Sequence, residues 1–512
     1  MALSLLFTSE TGIEQPAYDG RAKADSARLA WRLAPSLMIE SMVPKGARWQ
    51  MARVLMHRPL LLGLTVMVLL VPTILGGACG VTVPPPPDDT GNGGTIPEVG
   101  IYVGAERCAQ CHSHKHSTWS QTLHAEALDA LAAIGQDTNA ACLPCHTVGF
   151  GETGGFIDEA TTPGLAGVQC EHCHGGASEH VANVEDKTLR PTVTIASAVC
   201  GRCHTDAHHP TFDEWSESGH AHVTEEVAEE LDAGSNANSC GECHSGDARY
   251  AMKIQGLTIA ADFLKGTLPE EQNGQTCAIC HDPHERTGNA VAPAPGMDYQ
   301  LRYPQITNPE PTNTTTTITT NARYGICGQC HRDRGRDWTT TTRGSHHSIQ
   351  SNVYIGEMPI KTGTALLVPN IRSAHRFVPE QCSTCHMHAE AFVSEEVPAN
   401  TGHHFEVNTA ACSAIGCHPD KADAIAVTDA LQAEVQTRLD NILTRLGDPA
   451  TWDYPPDAGV GPSDQTTVPV AIQKVRFLKN YASFDGSLGV HNPAYVRTML
   501  TEAERLLTSV GK

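Results

Sequence analysis

Cys170-Glu-His-Cys-His174 is the stretch around which the rest of the sequence is organised. Its two thiols lie three positions apart and a histidine follows directly, which is the signature for covalent attachment of haem c. Both thiols must reach the vinyl groups of one porphyrin, and the imidazole of His174 must then lie under the iron as its proximal ligand. His180, six residues further on, is well placed to provide a second imidazole for a neighbouring iron. The stretch therefore predicts a haem site.

The pattern occurs nine times, and the motifs are numbered here in chain order. Eight copies have two residues between the cysteines, whereas the ninth has four, a variant found in some multihaem proteins. We predict nine haems c, held by Cys108, Cys111 and His112; Cys142, Cys145 and His146; Cys170, Cys173 and His174; Cys200, Cys203 and His204; Cys240, Cys243 and His244; Cys277, Cys280 and His281; Cys327, Cys330 and His331; Cys382, Cys385 and His386; and Cys412, Cys417 and His418.

Structural zinc and a disulfide framework are the alternatives for so many paired cysteines. Neither requires a histidine directly after the second cysteine, yet all nine pairs have one. Of the 19 cysteines, 18 belong to these motifs, and Cys79 is the one left over. The sequence therefore favours haem over both alternatives.

The composition suits a core built on cofactors. Aromatic residues make up only 5% of the chain, which also contains 45 glycines and 32 prolines, so an ordinary side-chain core would be small. Porphyrins supply the missing apolar surface. We expect a mainly α fold with extensive loops, a haem-packed core and little regular β structure.

The formal net charge of −22 argues against a nucleic-acid partner, because no basic stripe is available to neutralise phosphates. It favours cationic redox partners.

The N-terminal hundred residues resemble an export leader. Residues 51–79 contain a basic start and an apolar run that ends at Cys79, as in a bacterial lipoprotein signal. We interpret residues 1–50 as a non-translated or disordered leader, with translation starting at Met51, and residues 80–100 as a Pro/Gly-rich tether. We expect a periplasmic or cell-surface protein that is lipid-anchored through Cys79; an uncleaved membrane helix is the alternative.

Residues from about 101 to 220, through the first four motifs, resemble the cytochrome c-554 family of tetrahaem electron carriers. The resemblance rests on motif order and on flanks such as Trp119-Ser-Gln-Thr-Leu-His124. It implies closely stacked haem pairs and one haem without a sixth ligand, that of His146. We therefore divide the body into a tetrahaem region, 101–210, a pentahaem region, 211–420, and a helical region, 421–512.

Two local patterns suggest helices outside the motifs. Trp119, Trp215 and Trp338 are each followed by a histidine, which predicts three short helices that present an imidazole to a haem one motif away. Apolar periodicity predicts longer helices over 422–446, 470–481 and 493–507. The segment around His491 resembles the C-terminal part of pentahaem nitrite reductases, which implies that this histidine reaches back to a haem.

Nine further imidazoles would complete bis-histidine ligation. We expect them to be His124, His180, His209, His220, His284, His347, His375, His404 and His491. Close neighbours of several of these, namely His208, His222, His346 and His403, are not distinguished from them by sequence. His114, His116, His172 and His388 are assigned to the surface or to supporting positions.

Two functions fit these features. The first is an exported electron carrier, in which bis-histidine irons transfer electrons between periplasmic or cell-surface partners, to extracellular acceptors or within a haem filament of several copies. The second is a multihaem oxidoreductase of small nitrogen or sulfur compounds with one open iron site. No motif has a lysine in place of its histidine, as active haems of nitrite reductases usually do, so the carrier is favoured and enzyme activity is left open.

Overall fold

The computed structural model describes residues 102–291, 297–306, 325–361, 363–414 and 416–512. The predicted signal sequence, Cys79 and the tether lie outside these residues. Within the described part of the chain, no helix is both long enough and apolar enough to cross a bilayer.

Short helices joined by loops make up the body, and three longer helices form the C-terminal region. The α-helices are α1 (Ala105–Ala109), α2 (Ser113–Trp119), α3 (Ala127–Ala132), α4 (Leu143–His146), α5 (Cys170–His174), α6 (Ser178–Ala182), α7 (Ala198–Gly201), α8 (Thr211–Glu217), α9 (Glu225–Asp232), α10 (Gly241–His244), α11 (Gly246–Arg249), α12 (Cys277–Cys280), α13 (Gln350–Ile355), α14 (Cys382–His386), α15 (Ala411–Ala414), α16 (Lys421–Leu446), α17 (Val470–Phe484) and α18 (Pro493–Ser509).

The described residues contain β structure only as isolated bridges, such as Thr147 with Ala166 and His281 with Leu301. The predicted fold class, mainly α with extensive loops, is therefore confirmed.

The C-terminal helices α16, α17 and α18 pack around the largest apolar core of the described chain. Apolar side chains of α16 recur every three or four residues and are buried, including Leu431, Val435 and Leu439. Asp420 caps α16 by accepting a hydrogen bond from the Asp423 amide. The observed helices confirm the predicted spans of this region, with α17 and α18 extending two or three residues further.

Asn492 joins this helical region to the haem-motif region. The side-chain Oδ1 of Asn492 accepts a hydrogen bond from the Tyr495 amide at the start of α18. Its side-chain Nδ2 donates to the backbone carbonyls of Val353 and Ile371. The Ser373 hydroxyl donates to the carbonyl of His491 at 2.6 Å. The histidine that precedes α18 is thereby held against the segment between the seventh and eighth motifs.

The first two tryptophans of the predicted series have equivalent roles. The Trp119 indole donates to the Val168 carbonyl, and the Trp215 indole donates to the Gln275 carbonyl, in each case two residues before a motif. Trp119 ends α2 and Trp215 lies in α8, so both predicted helices are present.

The third predicted helix of this series is wrong. Trp338 lies in a loop, and the Lys474 ammonium of α17 stands over its ring at 4.7 Å from the centroid. The indole therefore packs against the C-terminal helices and does not brace a motif.

Candidate haem-binding site

Most of the motifs form a single helical turn. In the first, fourth, fifth, sixth and seventh motifs the amide of the histidine donates to the carbonyl of the first cysteine, for example His112 to Cys108 at 2.8 Å. Residues three and four apart lie on one side of such a turn, so both thiols and the imidazole point towards a common space. This is the arrangement that covalent attachment to one porphyrin requires.

The ninth motif departs from this turn. Helix α15 ends at Ala414, and Gly416 adopts a positive φ of 73°, a conformation that glycine tolerates without a steric penalty. The helical turn of this motif thus ends before Cys417 is reached.

Six motif histidines each face a second imidazole across a gap of nearly constant width. Their ring centroids lie 6.1 to 6.4 Å apart. A metal–imidazole nitrogen bond is about 2 Å long and the nitrogen lies roughly 1 Å from the ring centre, so this gap fits one metal ion between two axial nitrogens. The pairs are His204 with His124, His174 with His284, His331 with His220, His244 with His346, His281 with His403, and His386 with His491.

Burial keeps several of these imidazoles neutral. It lowers the pKa of His204, His220 and His403 to about 4 and that of His346 to about 3. A histidine must be deprotonated to bind a metal, so these rings are ready to act as ligands at neutral pH.

Hydrogen bonds to the Nδ1 atoms orient the motif imidazoles. His174 Nδ1 lies 2.6 Å from the Thr192 carbonyl, and His281 Nδ1 lies 2.6 Å from the Tyr299 carbonyl. His386 Nδ1 is paired with the Phe405 carbonyl at 3.0 Å. With Nδ1 donating to an oxygen, Nε2 is left as the free nitrogen for iron.

Four of the predicted distal histidines face a motif imidazole, namely His124, His220, His284 and His491. His124 follows the first motif in the chain and faces the fourth, and His220 follows the fourth motif and faces the seventh. Each imidazole thus faces a motif that is three motifs further along the chain than the one it follows. The expectation that these rings would serve a haem one motif away is wrong.

At two positions the structure places the neighbouring histidine opposite the motif. His346, rather than His347, faces His244, and His403, rather than His404, faces His281. His404 instead lies 3.8 Å from the Glu217 carboxylate. The facing geometry therefore favours His346 and His403 as distal ligands.

The motif imidazoles of His112, His146 and His418 have no facing ring at this distance among the residues that the structure describes. The charge of His146 lowers the pKa of His209, and that of His418 lowers the pKa of His375, in each case after the larger effect of burial, so the two rings of each pair lie near each other. The Nδ1 atom of His180 is buried without a hydrogen-bond partner, so this ring still lacks an assigned role.

Cysteines of different motifs adjoin in a regular order. The Cys170 thiol of the third motif adjoins Cys108 of the first and raises its pKa, and Cys145 of the second motif has the same effect on Cys203 of the fourth. The same two contacts recur three motifs later, between the fourth and sixth (Cys200 and Cys277) and between the fifth and seventh (Cys243 and Cys330). Cys327 and Cys382 then join the seventh motif to the eighth. The arrangement of the first four motifs thus recurs among the fourth to seventh motifs, whereas the seventh departs from it by adjoining the eighth motif and not the ninth.

The zinc and disulfide alternatives have no support in the structure. All 18 motif cysteines are free of disulfide bonds. Within the described ranges, no group of three or more His, Cys, Asp or Glu side chains converges in a way that could hold a metal ion. The paired imidazoles and motif turns instead fit haem.

Two residues that the sequence analysis did not single out contribute to the site. Asp485 is fully buried and lies 2.7 Å from His491 Nδ1; burial lowers the pKa of this imidazole, but the carboxylate outweighs burial and the net pKa is raised. Arg249 is buried beside Cys243, Cys280 and Cys330, and among the described residues no carboxylate forms an ion pair with it. Neither position belongs to a motif, so no sequence signal marked them.

Comparison with known proteins supports this description. Residues 107–175 match the family described as Cytochrome c554 and c-prime. The chain is 33% identical over 89 residues to Cytochrome c-554 of Nitrosomonas europaea, covering 14% of this chain and 38% of that protein. It is 25% identical over 302 residues to the C-type polyheme cytochrome OmcC of Geobacter sulfurreducens, covering 52% and 37%. It is 27% identical over 164 residues to Multiheme cytochrome MtrA of Shewanella baltica, covering 28% and 45%. The chain thus spans less than half the length of each of these relatives.

Two solved structures share the fold. The Outer Cell Wall Cytochrome OcwA matches with a TM-score of 0.51 and 20% identity, over 80% of this chain and all of the other. An undecaheme cytochrome from the S-layer of Carboxydothermus ferrireducens matches with a TM-score of 0.53 and 20% identity, over 81% and 70%. With its series of attachment motifs, the chain is a multihaem c-type cytochrome.

Proposed function

We propose that the chain is an exported electron-transfer protein that holds nine haems c, most of them ligated by two histidines. Haem c, when bound, supplies one-electron redox chemistry. The observation that carries the proposal is the set of six facing imidazole pairs on motifs that adjoin one another. Imidazoles on both sides of an iron leave no position for a substrate, so such centres exchange electrons and do not bind a reactant.

The contacts between motifs support a continuous path. Adjoining thiols join the first motif to the third, the fourth to the sixth and the seventh to the eighth. Between these pairs, Cys173 lies near enough to Cys200 and Cys203, and Cys280 to Cys327, for its charge to raise their pKa. Cys412 acts in the same way on Cys385, which adds the ninth motif. The second motif adjoins the fourth, and the fifth adjoins the seventh, so each of these two motifs lies beside the main series.

The surroundings of the buried Arg249 fit porphyrin carboxylates. A buried cation is costly unless an anion or several hydrogen bonds accompany it. The Arg249 guanidinium donates a hydrogen bond to the Glu242 backbone carbonyl. It also lies over the aromatic ring of Tyr303, with its central carbon 5.6 Å from the ring centroid. We assign haem propionates as the anions that complete its environment.

The relatives point to the cell exterior as the place of action. One structural relative is described as an outer cell wall cytochrome and another as an S-layer cytochrome. We propose that this chain likewise acts outside the cytoplasm, with a redox protein as donor and a second cytochrome or an extracellular acceptor as partner. Cys79 is our proposed site of lipid attachment, and a Cys79→Ala variant should be released from the membrane fraction.

The deciding experiment is spectroscopy on the purified holoprotein. Mass spectrometry should show nine covalently bound haems, and electron paramagnetic resonance (EPR) of the oxidised protein should be dominated by low-spin signals. A Cys417→Ala variant tests the ninth motif directly and should lose or weaken the attachment of one haem. Retention of all nine haems with unchanged thioether linkages in that variant would contradict the assignment of this motif.

An oxidoreductase with one open iron is the second candidate, and the observation that favours it is the absence of a facing ring opposite His112, His146 and His418 within the described chain. A high-spin ferric signal that shifts on adding nitrite, hydroxylamine or cyanide would support it. Formation of a haem filament is a third outcome, in which a histidine from another copy completes one of these centres. It predicts that the high-spin fraction rises on dilution.

A further inference from the structure

His491 differs from His403 and His346, two other histidines that face a motif imidazole, in the group that its Nδ1 contacts. The Nδ1 of His403 lies 3.0 Å from the Thr401 hydroxyl, and that of His346 lies 3.1 Å from the Ser348 hydroxyl. The Nδ1 of His491 instead lies 2.7 Å from Oδ1 of Asp485, whose side chain is entirely buried. A carboxylate is a much stronger acceptor than a hydroxyl group.

The position of Asp485 is unfavourable for a carboxylate in two respects. It directly follows the last residue of α17, where the helix dipole places partial negative charge. It is also out of contact with water, and in the described chain no lysine or arginine forms an ion pair with it. A buried charge requires compensation. The imidazole of His491 is the compensating group that the structure provides.

A closed set of hydrogen bonds holds this pair in place. The Ser487 hydroxyl donates to Oδ2 of Asp485 and accepts from the His491 amide at 3.1 Å. The carbonyl of His491 accepts from Ser373. The carboxylate and the imidazole therefore keep a fixed relative orientation, and Nε2 is directed at the gap opposite His386.

We propose that Asp485 is a positioning residue that lowers the reduction potential of the haem held by Cys382, Cys385 and His386. A carboxylate that accepts the Nδ1 proton of an axial imidazole makes that ligand more electron-donating. The nearby negative charge also stabilises the ferric state, which carries one positive charge more than the ferrous state. Both effects act in the same direction. The inference rests on the proposed ligation of this iron by His491.

Asp282 provides a matched comparison. Its carboxylate lies 3.5 Å from His284 Nδ1, but Arg302 forms an ion pair with it at 2.7 Å. The contact with the imidazole is longer, and the charge is neutralised by the guanidinium. The Asp282–Arg302 pair as a whole should therefore affect the potential of its haem much less than Asp485 does.

The test is a redox titration of holoprotein variants followed by EPR. In Asp485→Asn, the reduction potential of one low-spin haem should rise. The ratio of ferrous to ferric haem at a fixed potential should increase at least tenfold, which is a shift of about 59 mV for one electron. Haem content and spin state should not change. The double variant Asp282→Asn/Arg302→Gln, which removes the ion pair without changing the net charge, is the control and should shift its component by clearly less. Unchanged potentials in Asp485→Asn, or conversion of a haem to high spin without a shift, would overturn the proposal.

His491→Ala separates this inference from the proposed function. It should convert one haem to high spin, and the component that disappears should be the one that shifts in Asp485→Asn. If His491→Ala leaves every haem low-spin, the ligation itself is wrong. If His491 is a ligand and Asp485→Asn changes no reduction potential, only the proposed role of Asp485 is wrong.

Should Asp485→Asn not fold, the wild-type protein still gives a test. One low-spin signal should then show a smaller spread of g values than the others, as expected for a more electron-donating imidazole, and a uniform set of signals would contradict the proposal.

Discussion

The imidazole of His403 lies opposite that of His281, with ring centroids 6.4 Å apart and planes inclined by 30°. The adjacent His404 points elsewhere, towards Glu217. The two histidines are neighbours in sequence, yet only one of them is placed to share an iron with the sixth motif.

We therefore expect His403→Ala to convert one haem from low to high spin, because the iron beside His281 loses its facing nitrogen. His404→Ala should leave all haems low-spin, since that ring is not in the gap. EPR of the oxidised variants distinguishes the two outcomes. A high-spin signal in His404→Ala alone would show that the pair is assigned the wrong way round.

The same comparison applies to the fifth motif. His346 faces His244 at 6.2 Å, and its ring is 4.1 Å from that of His347. His346→Ala should produce one high-spin haem, whereas His347→Ala should perturb the potential of that haem without exposing its iron. Cyanide binding beyond that of the wild type should appear in His346→Ala and not in His347→Ala, and optical titration with cyanide provides the measurement.

Glu214 fixes the loop that carries His403. Its buried carboxylate accepts hydrogen bonds from the amide and hydroxyl of Thr401 and from the His403 amide. Glu214→Gln replaces one acceptor by a donor and should cost about 1–3 kcal/mol of stability, because a buried amide is left without a partner. We expect a lower melting temperature by circular dichroism, together with partial high-spin character at the sixth motif.

Glu217→Gln is the control for this change, because Glu217 is exposed and makes only the longer contact to His404. Equal melting temperatures for both variants would show that the Glu214 contacts contribute nothing measurable.

The ion pair between Glu434 and Arg497 joins α16 to α18 and predicts a pH dependence of stability. The Arg497 hydrogen bonds hold the pKa of the Glu434 carboxyl below its ordinary value. On acidification the unfolded chain is protonated first, so the stabilisation is present at neutral pH and is lost as the pH falls through the folded-state pKa.

Glu434→Gln should therefore reduce stability at pH 7 by at most about 1 kcal/mol, the range for exposed ion pairs. At acidic pH the variant and the wild type should melt at the same temperature. Glu502→Gln is a suitable comparison, since its partner Arg505 lies on the same helix. A difference that persists in acid would exclude the charge as its cause.

Local patterns predicted much of this molecule. The spacing of thiols and histidines predicted that both thiols and the imidazole of a motif meet at one porphyrin, and the turns of helix found at most motifs bring residues three and four apart to one side. Apolar periodicity predicted α16, α17 and α18, whose buried faces form a common core. These features depend on contacts within a short stretch of chain.

Contacts between distant segments decided the rest. The choice of His403 over His404 depends on Glu214, which lies 187 and 189 residues before the groups that it binds. Trp338 follows the same sequence pattern as Trp119 and Trp215, but α17 supplies Lys474 to cover its ring, and no helix forms. Asp485 and its hydrogen bond to His491 depend on a tight turn that residue types did not reveal. Long-range packing of this kind leaves no periodic signal in the sequence.

The arrangement of cysteines among the first four motifs recurs among the fourth to seventh, and this recurrence has a consequence for how such chains change length. If each group of three motifs contacts the next group through equivalent cysteines, a further group can be added without new contacts having to evolve between the groups. Gene duplication would then lengthen the protein by three haems at a time. Each added unit would extend the distance that electrons can travel and would keep the same spacing between neighbouring haems where two units meet.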